Sequence, residues 1–265
     1  MPELAEVFYY SRQWVELQGL AITQIFQNTA ARIFRDKTAN HWQTIKGATL
    51  LKSETHGKKI RFIFNCPYHL HIHLGMTGKL YQAPLNQPPQ KHQHLILFTE
   101  QKKFIFQDSR MFGKATLLQN QESETQWQKL PTAILSPAFT RKEFDHLIQQ
   151  GKRKNVKAWL LSQNYFPGIG NWMADEILWR ARINPFFRVN EIPENNIQTL
   201  YTVIQSVSRD ALEVIGKNWG NPPQTWLFPH RWNRQGICPK THQPLSYTTI
   251  AGRSTCYSPI WQKIP

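Results

Sequence analysis

Residues Pro167–Arg182 read P-G-I-G-N-W-M-A-D-E-I-L-W-R-A-R. Gly168 and Gly170 let the backbone turn tightly, Asn171 is a residue type suited to capping a helix, and the run that follows has helical periodicity. A turn of this kind leaves amide N–H groups at the positive end of a helix, which predicts a phosphate site. As ordinary helix-entry chemistry the same residues need no ligand. The basic residues just upstream, Lys152, Arg153, Lys154 and Lys157, tip the reading toward an anion.

Working outward, the chain is helical in texture from about residue 130, in RKEFDHLIQQ, VKAWLLSQ and NIQTLYTVIQSVSRDALEVIG. Before that it is rich in strand-like segments: ITQIFQ, GATLLKSETHGKKIRFIF, YHLHIHLGM, HLILFTE and KKFIFQDSR. An amphipathic helix is predicted over residues 3 to 18, opened by Pro2. After Gly220 come closely spaced Pro and Trp residues, then alternation from Leu245 to Ile250 and a Gly252–Arg253 turn, which together predict a β-hairpin. The fold class is therefore α+β and multidomain. An N-terminal helix and β-sandwich are expected over 1–130, a helical domain over 131–222 and a terminal hairpin over 223–265.

The charge balance, 32 Lys plus Arg against 17 Asp plus Glu for a net +15 over 265 residues, points to a polyanionic partner. A basic protein with no nucleic-acid role is the competing reading. Three cysteines make no disulfide framework, and no apolar run is long enough to cross a bilayer. The expectation is a cytoplasmic protein with no membrane partner.

Two features invite chemistry. His69, His71 and His73 share one face of a strand, roughly 6 to 7 Å apart at each step, so they are either metal ligands or the polar face of a half-buried strand. No nearby acid completes a metal set, which favours the polar face. Pro2 followed by Glu3 suits a helix start. If Met1 is removed, Pro2 is also a secondary amine able to form an iminium ion with a sugar aldehyde carbon.

Several of these stretches are collinear with one family. M-P-E-L-A-E-V at the start, H-G-K-K-I around Lys58, I-H-L-G-M-T-G at 72–78, D-S-R-M-F-G at 108–113, V-K-A-W-L and P-G-I-G-N-W-M-A-D-E-I-L through Leu178, and Y-T-T-I-A-G-R-S-T near the end resemble the formamidopyrimidine-DNA glycosylase and endonuclease VIII family. The resemblance implies a β-sandwich, a helix-two-turns-helix domain and a hairpin finger, with DNA crossing the cleft between them. It implies a monomeric base-excision-repair glycosylase and abasic-site lyase, whose partner is double-stranded DNA carrying damaged bases or abasic sites.

By the same resemblance Pro2 is the nucleophile, Glu3 the acid that helps open the sugar ring, and Lys58 a lysine that contacts phosphate and supports the amine. Met76, Arg110 and Phe112 match the residues that fill the gap left by a flipped nucleotide. Asn171 and Arg253 match those that grip flanking phosphates. Lys157 joins the DNA-contacting charges, and Glu6 and Glu176 shape the site.

The family's finger usually carries four cysteines. Here Cys238 matches the first, and Thr241, Ser258 and Trp261 stand in the other places. A zinc site is thus expected to be lost, leaving no cofactor and a hairpin held by packing of Trp232, Leu245, Tyr247, Tyr257 and Trp261. A partial site of Cys238, His242 and Cys256 is the alternative. Met111 replaces a usual arginine and the 220–238 segment is short, so formamidopyrimidines or oxidised pyrimidines are expected as substrates ahead of 8-oxoguanine. The competing functions are a non-catalytic protein that binds damaged or bent DNA and a metalloenzyme built on the three histidines.

Overall fold

The computed structural model describes residues 1–34 and 41–263. It divides into two compact units, one of Met1–Pro2 and Glu6–Leu130, the other of Glu3–Ala5 and the chain from Pro131 onward. Among the described residues no helix is long and apolar enough to cross a membrane.

The first helix, α1 (Leu4–Arg12), is shorter than the expected 3–18; a single 3-10 turn, Val15–Leu17, takes up the rest. The strands of the first unit are β1 (Gln24–Gln27), β2 (Leu50–His56), β3 (Lys59–Phe64), β4 (Tyr68–His73), β5 (Lys79–Pro84), β6 (Gln93–Phe98), β7 (Lys102–Gln107) and β8 (Lys114–Gln119). They form two antiparallel sheets, ordered β2-β3-β4-β8 and β1-β6-β7-β5. Alternation sends Ile60, Phe62, Leu70 and Ile72 inward from one sheet, and Leu95, Leu97, Phe104 and Phe106 inward from the other. Trp14, fully buried, meets Phe62 at a tilt with ring centroids 5.0 Å apart and Phe104 edge-on at 6.4 Å, so it packs against both sheets. Its indole N–H donates to the Tyr81 carbonyl.

Two strands and one helix escape the sequence reading. β5 ends in proline and β8 carries polar residues at both ends. Helix α2 (Asn120–Gln128), NQESETQWQ, has no apolar period; its order comes from what lies beneath it. Ser123, fully buried, is hydrogen-bonded to His69 Nδ1 at 2.9 Å and His71 Nε2 at 2.7 Å. Arg61 bridges to Glu54 and Glu124 and lies 4.5 Å over the Trp127 ring. The outer face of β4 is thus a polar face covered by a helix, with His69 and His71 on the serine and His73 Nδ1 accepting from the Gly75 amide at 3.1 Å.

In the second unit, α3 (Arg141–Gly151) is capped by Thr140 and α4 (Val156–Leu160) by Asn155, each side chain accepting from backbone amides. They are followed by α5 (Asn171–Arg180) and α6 (Glu194–Ala211), which runs on into one π turn, Leu212–Gly216. Trp159, Phe166, Ile177, Leu200 and Ile204 lie in the core these helices share. The hairpin is β9 (Ser246–Ile250) and β10 (Arg253–Tyr257), turning through Ala251 and Gly252.

Burial, with the Arg61 charge next, pulls the His71 pKa down from 6.5 to about 4. Above pH 6.5 the residue is neutral in folded and unfolded chains alike. Between 6.5 and 4 only the unfolded chain takes up the proton, so stability falls as pH drops through that window. His71→Gln, which keeps a hydrogen-bonding group for Ser123, is expected to flatten the fall in Tm over this range. An unchanged slope would refute the assignment.

Candidate functional site

The turn at Gly168–Asn171 does attract an anion, but the anion is the chain's own. Glu3, almost fully buried, accepts from the Gly170 and Met173 amides on Oε2 at 3.0 and 3.1 Å, and from the Trp172 amide on Oε1 at 3.0 Å. Leu4 N–H adds a bond to the Gly168 carbonyl. A Cβ at residue 170 would stand 2.2 Å from the Glu3 carboxyl carbon, so glycine is required for this approach. The expectation of open amides awaiting a phosphate is therefore corrected: a carboxylate offers the same charge and acceptors at the helix end. Asn171 is likewise not a cap. The N-cap is Gly170, and Asn171 Nδ2 donates to Ser254 O at 2.9 Å and Ser254 Oγ at 3.2 Å. Pro2, partly exposed, precedes the anchored glutamate by one residue.

In the first unit, Lys58 sits half-buried in the two-residue turn between β2 and β3, and Glu6 is half-buried on α1. Met76 follows β4, and Arg110 and Phe112 occupy the loop between β7 and β8. Asp108, fully buried and not singled out in the sequence, organises these loops. Its carboxylate accepts from Thr77 Oγ1 at 2.5 Å and the Gly113 and Arg110 amides at 2.7 and 3.3 Å. The D-S-R turn was the available signal, since aspartate commonly accepts from the backbone two residues on. Gly75 has a φ of +63°, and a Cβ there would lie 2.4 Å from the Phe112 carbonyl carbon, which locks the two loops together. Phe112 projects at 40% exposure, with the Arg110 guanidinium 4.8 Å and that of Arg32 5.9 Å from its ring. Met111, which replaces the family arginine, packs against the sandwich core.

In the second unit, Arg253 is exposed at the start of β10. Lys157, expected among the DNA-contacting charges, is instead wholly buried. Its Nζ is 2.7 Å from Asp175 Oδ1 and donates to Ser254 O at 2.7 Å and Thr255 Oγ1 at 2.8 Å. Wholly buried and so engaged, this ammonium is not open to a phosphate. Asp175 also accepts from Arg231 Nη2 and the Cys256 amide. Glu176, buried on the next residue of α5, accepts from Arg180 Nε at 2.9 Å and Phe228 N at 3.0 Å. Burial raises its pKa against the opposing pull of Arg180.

The four positions of the family's metal knot carry one thiol, two hydroxyls and an indole. Cys238 accepts from Trp179 Nε1 at 3.4 Å. Burial opposes its ionisation, yet the Thr241 and Ser258 hydroxyls and Trp179 bring its pKa below the usual thiol value. Trp261 donates its amide to Ser258 Oγ and its indole N–H to Trp179 O. Cys256 lies in β10 opposite Tyr247, its pKa pushed up to about 12, chiefly by burial. Among the described residues no three His, Cys, Asp or Glu side chains are placed to hold a metal ion. This donor set does not fit structural zinc, which takes four N or S ligands. The hairpin instead packs through Trp179, Leu227, Cys238, Leu245 and Cys256, joined by Tyr247 and Trp261. Trp232, expected in that packing, is 63% exposed, and Tyr257 meets Phe186 instead.

Residues 1–115 match the formamidopyrimidine-DNA glycosylase N-terminal domain and residues 130–220 the formamidopyrimidine-DNA glycosylase H2TH domain. The formamidopyrimidine-DNA glycosylase of Solibacter usitatus is 32% identical over 275 residues, covering 99% of this chain and 100% of the relative. That of Pelotomaculum thermopropionicum is 30% identical over 276 residues, covering 100% of both chains. Among solved structures, Lactococcus lactis Fpg in complex with abasic-site DNA superposes with a TM-score of 0.89 at 25% identity, over 99% of this chain and 100% of that one. With both domain types matched in order and relatives aligned end to end, the chain belongs to the formamidopyrimidine-DNA glycosylase family.

Proposed function

We propose that this protein excises oxidised bases from double-stranded DNA and then cleaves the abasic strand, with Pro2 as nucleophile. The observation that carries the reading is the seat of Glu3 on the α5 amides, which fixes the backbone one residue from the Pro2 nitrogen. Once Met1 is removed, that nitrogen is a secondary amine. Its lone pair attacks C1′, the damaged base departs, and the sugar is held as an iminium ion. Glu3, held as a carboxylate on the α5 amides, takes up the proton that the Pro2 nitrogen sheds on attack and passes it to the ring oxygen as the ring opens. Loss of a C2′ proton expels the 3′-phosphate, and a second elimination releases the 5′-phosphate. Lys58, the lysine that the resemblance assigns to the amine, would favour its neutral form and hold a phosphate.

Met76, Arg110 and Phe112 fill the gap left by the flipped nucleotide, on loops held by Asp108. The two guanidiniums around Phe112 support this role, because they keep an exposed ring upright. Arg253 grips a flanking phosphate, joined by Asn171 when its amide is released from Ser254, while Glu6 and Glu176 maintain the frame. Met111, turned toward the core, offers no guanidinium to DNA, which supports formamidopyrimidines and oxidised pyrimidines as substrates ahead of 8-oxoguanine.

Borohydride reduction on abasic-site DNA is expected to give a covalent adduct that peptide mapping places on residue 2. Pro2→Leu, which retains Met1, abolishes it. Glu3→Gln should lower base excision by about 100-fold or more, in keeping with loss of a group that relays a proton. Tight binding of abasic DNA with no adduct would sink the enzymatic reading in favour of a non-catalytic damage-binding protein.

Asp108→Ala is expected to cost about 2–4 kcal/mol in urea unfolding, since it strands buried donors, and to weaken binding of abasic DNA roughly tenfold. Wild-type affinity in a folded variant would detach Asp108 from the gap-filling loops. Metal analysis of the purified protein should find well below one zinc per chain; one tightly held zinc would overturn the zincless hairpin.

A further inference from the structure

Asp175, Lys157 and Arg231 form a buried triad in the second unit that no catalytic step above uses. Asp175 Oδ1 lies 2.7 Å from Lys157 Nζ, and Oδ2 accepts from Arg231 Nη2 at 2.6 Å and from the Cys256 amide at 3.2 Å. All three side chains are nearly or wholly buried. The contacts draw together α4, α5, the segment at residue 231 and β10. The same strand is held a second time by Lys157, through Ser254 O and Thr255 Oγ1.

Two properties separate this cluster from a plain structural ion pair. The first is connectivity: Ser254 O accepts from Lys157 Nζ and from Asn171 Nδ2, so one carbonyl ties the buried ammonium to Asn171 and to the residue beside Arg253. The second is charge. Two cations share one carboxylate, and Arg231 Nε has no acceptor among the described residues. Excess positive charge in a buried site is costly unless an anion compensates it. The hydrogen-bonded chain leads from the triad to half-buried Asn171 and to exposed Arg253, the residues assigned to phosphate.

We infer that the Asp175–Lys157–Arg231 triad is a positioning device that holds β10 on α4 and α5 in place of a metal, and sets Asn171 and Arg253 at the spacing and charge a DNA phosphate requires. This rests on the proposed function. It assigns Lys157 an indirect part in phosphate binding, through Ser254, and gives Asp175 and Arg231 a part that the family resemblance did not supply.

The test is a double-variant cycle read as Kd for a duplex carrying a tetrahydrofuran abasic analogue, with thermal unfolding measured in parallel. Lys157→Met and Arg253→Ala are each expected to weaken binding roughly tenfold, and the double variant to be little weaker than the weaker-binding single, because both act on one phosphate grip. Thr255→Val removes one hydrogen bond without stranding a charge. It should give a smaller loss that is likewise absorbed in the Arg253→Ala background, and it decides the matter where Lys157→Met does not fold. Losses that multiply in the double variants, or a lowered Tm with unchanged Kd, would overturn the inference. A wild-type protein that binds the analogue no better than undamaged duplex would instead sink the functional reading.

Discussion

The carboxylate of Glu3, seated on three amides at the start of α5, is the constraint on which the rest of the proposed chemistry depends. A chain terminus is ordinarily among the least ordered parts of a protein. Here the third residue is buried against a helix whose positive end is turned to it, and Gly170 is what lets it come so close. An unanchored amine would spend most of its time away from any sugar carbon. The anchored one is restricted before substrate arrives, which is how fixed geometry lowers a barrier.

Helix α5 is unusual in being buried on almost every side from Trp172 to Trp179, including its two acids. Buried carboxylates in such a helix must find cations or amides, and each does so in a different direction. Asp175 turns to Lys157, Arg231 and β10, and Glu176 to Arg180 and the chain at Phe228. With Glu3 on its first turn, the helix joins the N-terminus, the hairpin and the 226–231 segment through carboxylate contacts rather than through shape alone.

Much of this was legible in the sequence. The strand and helix textures gave the α+β chain with its change of character near residue 130, and P-G-I-G-N announced an anion site at a helix start, where the Glu3 carboxylate sits in place of the expected phosphate. What escaped were elements whose order is supplied from elsewhere. α2 has no apolar face, and Ser123 beneath it reads as an ordinary polar residue until His69 and His71 are seen to bind it. Lys157 illustrates the same limit at the site. A lysine among Lys152, Arg153 and Lys154 reads as one more surface charge, and only the fold reveals that an aspartate eighteen positions on has drawn it inside. Asp108 stands in the open in D-S-R-M-F-G, but nothing in that string shows that it is fully buried and holds the Arg110 and Gly113 amides.

The replacement of cysteines by Thr241, Ser258 and Trp261 around Cys238 bears on chemical durability. A metal–thiolate knot is open to chelators and to oxidants, which attack thiolate sulfur. Here Cys238 is enclosed by indole and hydroxyl groups, and Cys256 is buried with its thiol pushed up to about 12, so it presents almost no thiolate. Cys238 itself, whose pKa is lowered, is shielded by its full burial rather than by a lack of thiolate. The proposed phosphate grip of Arg253 is thereby mounted on a support whose sulfur atoms solvent oxidants do not reach.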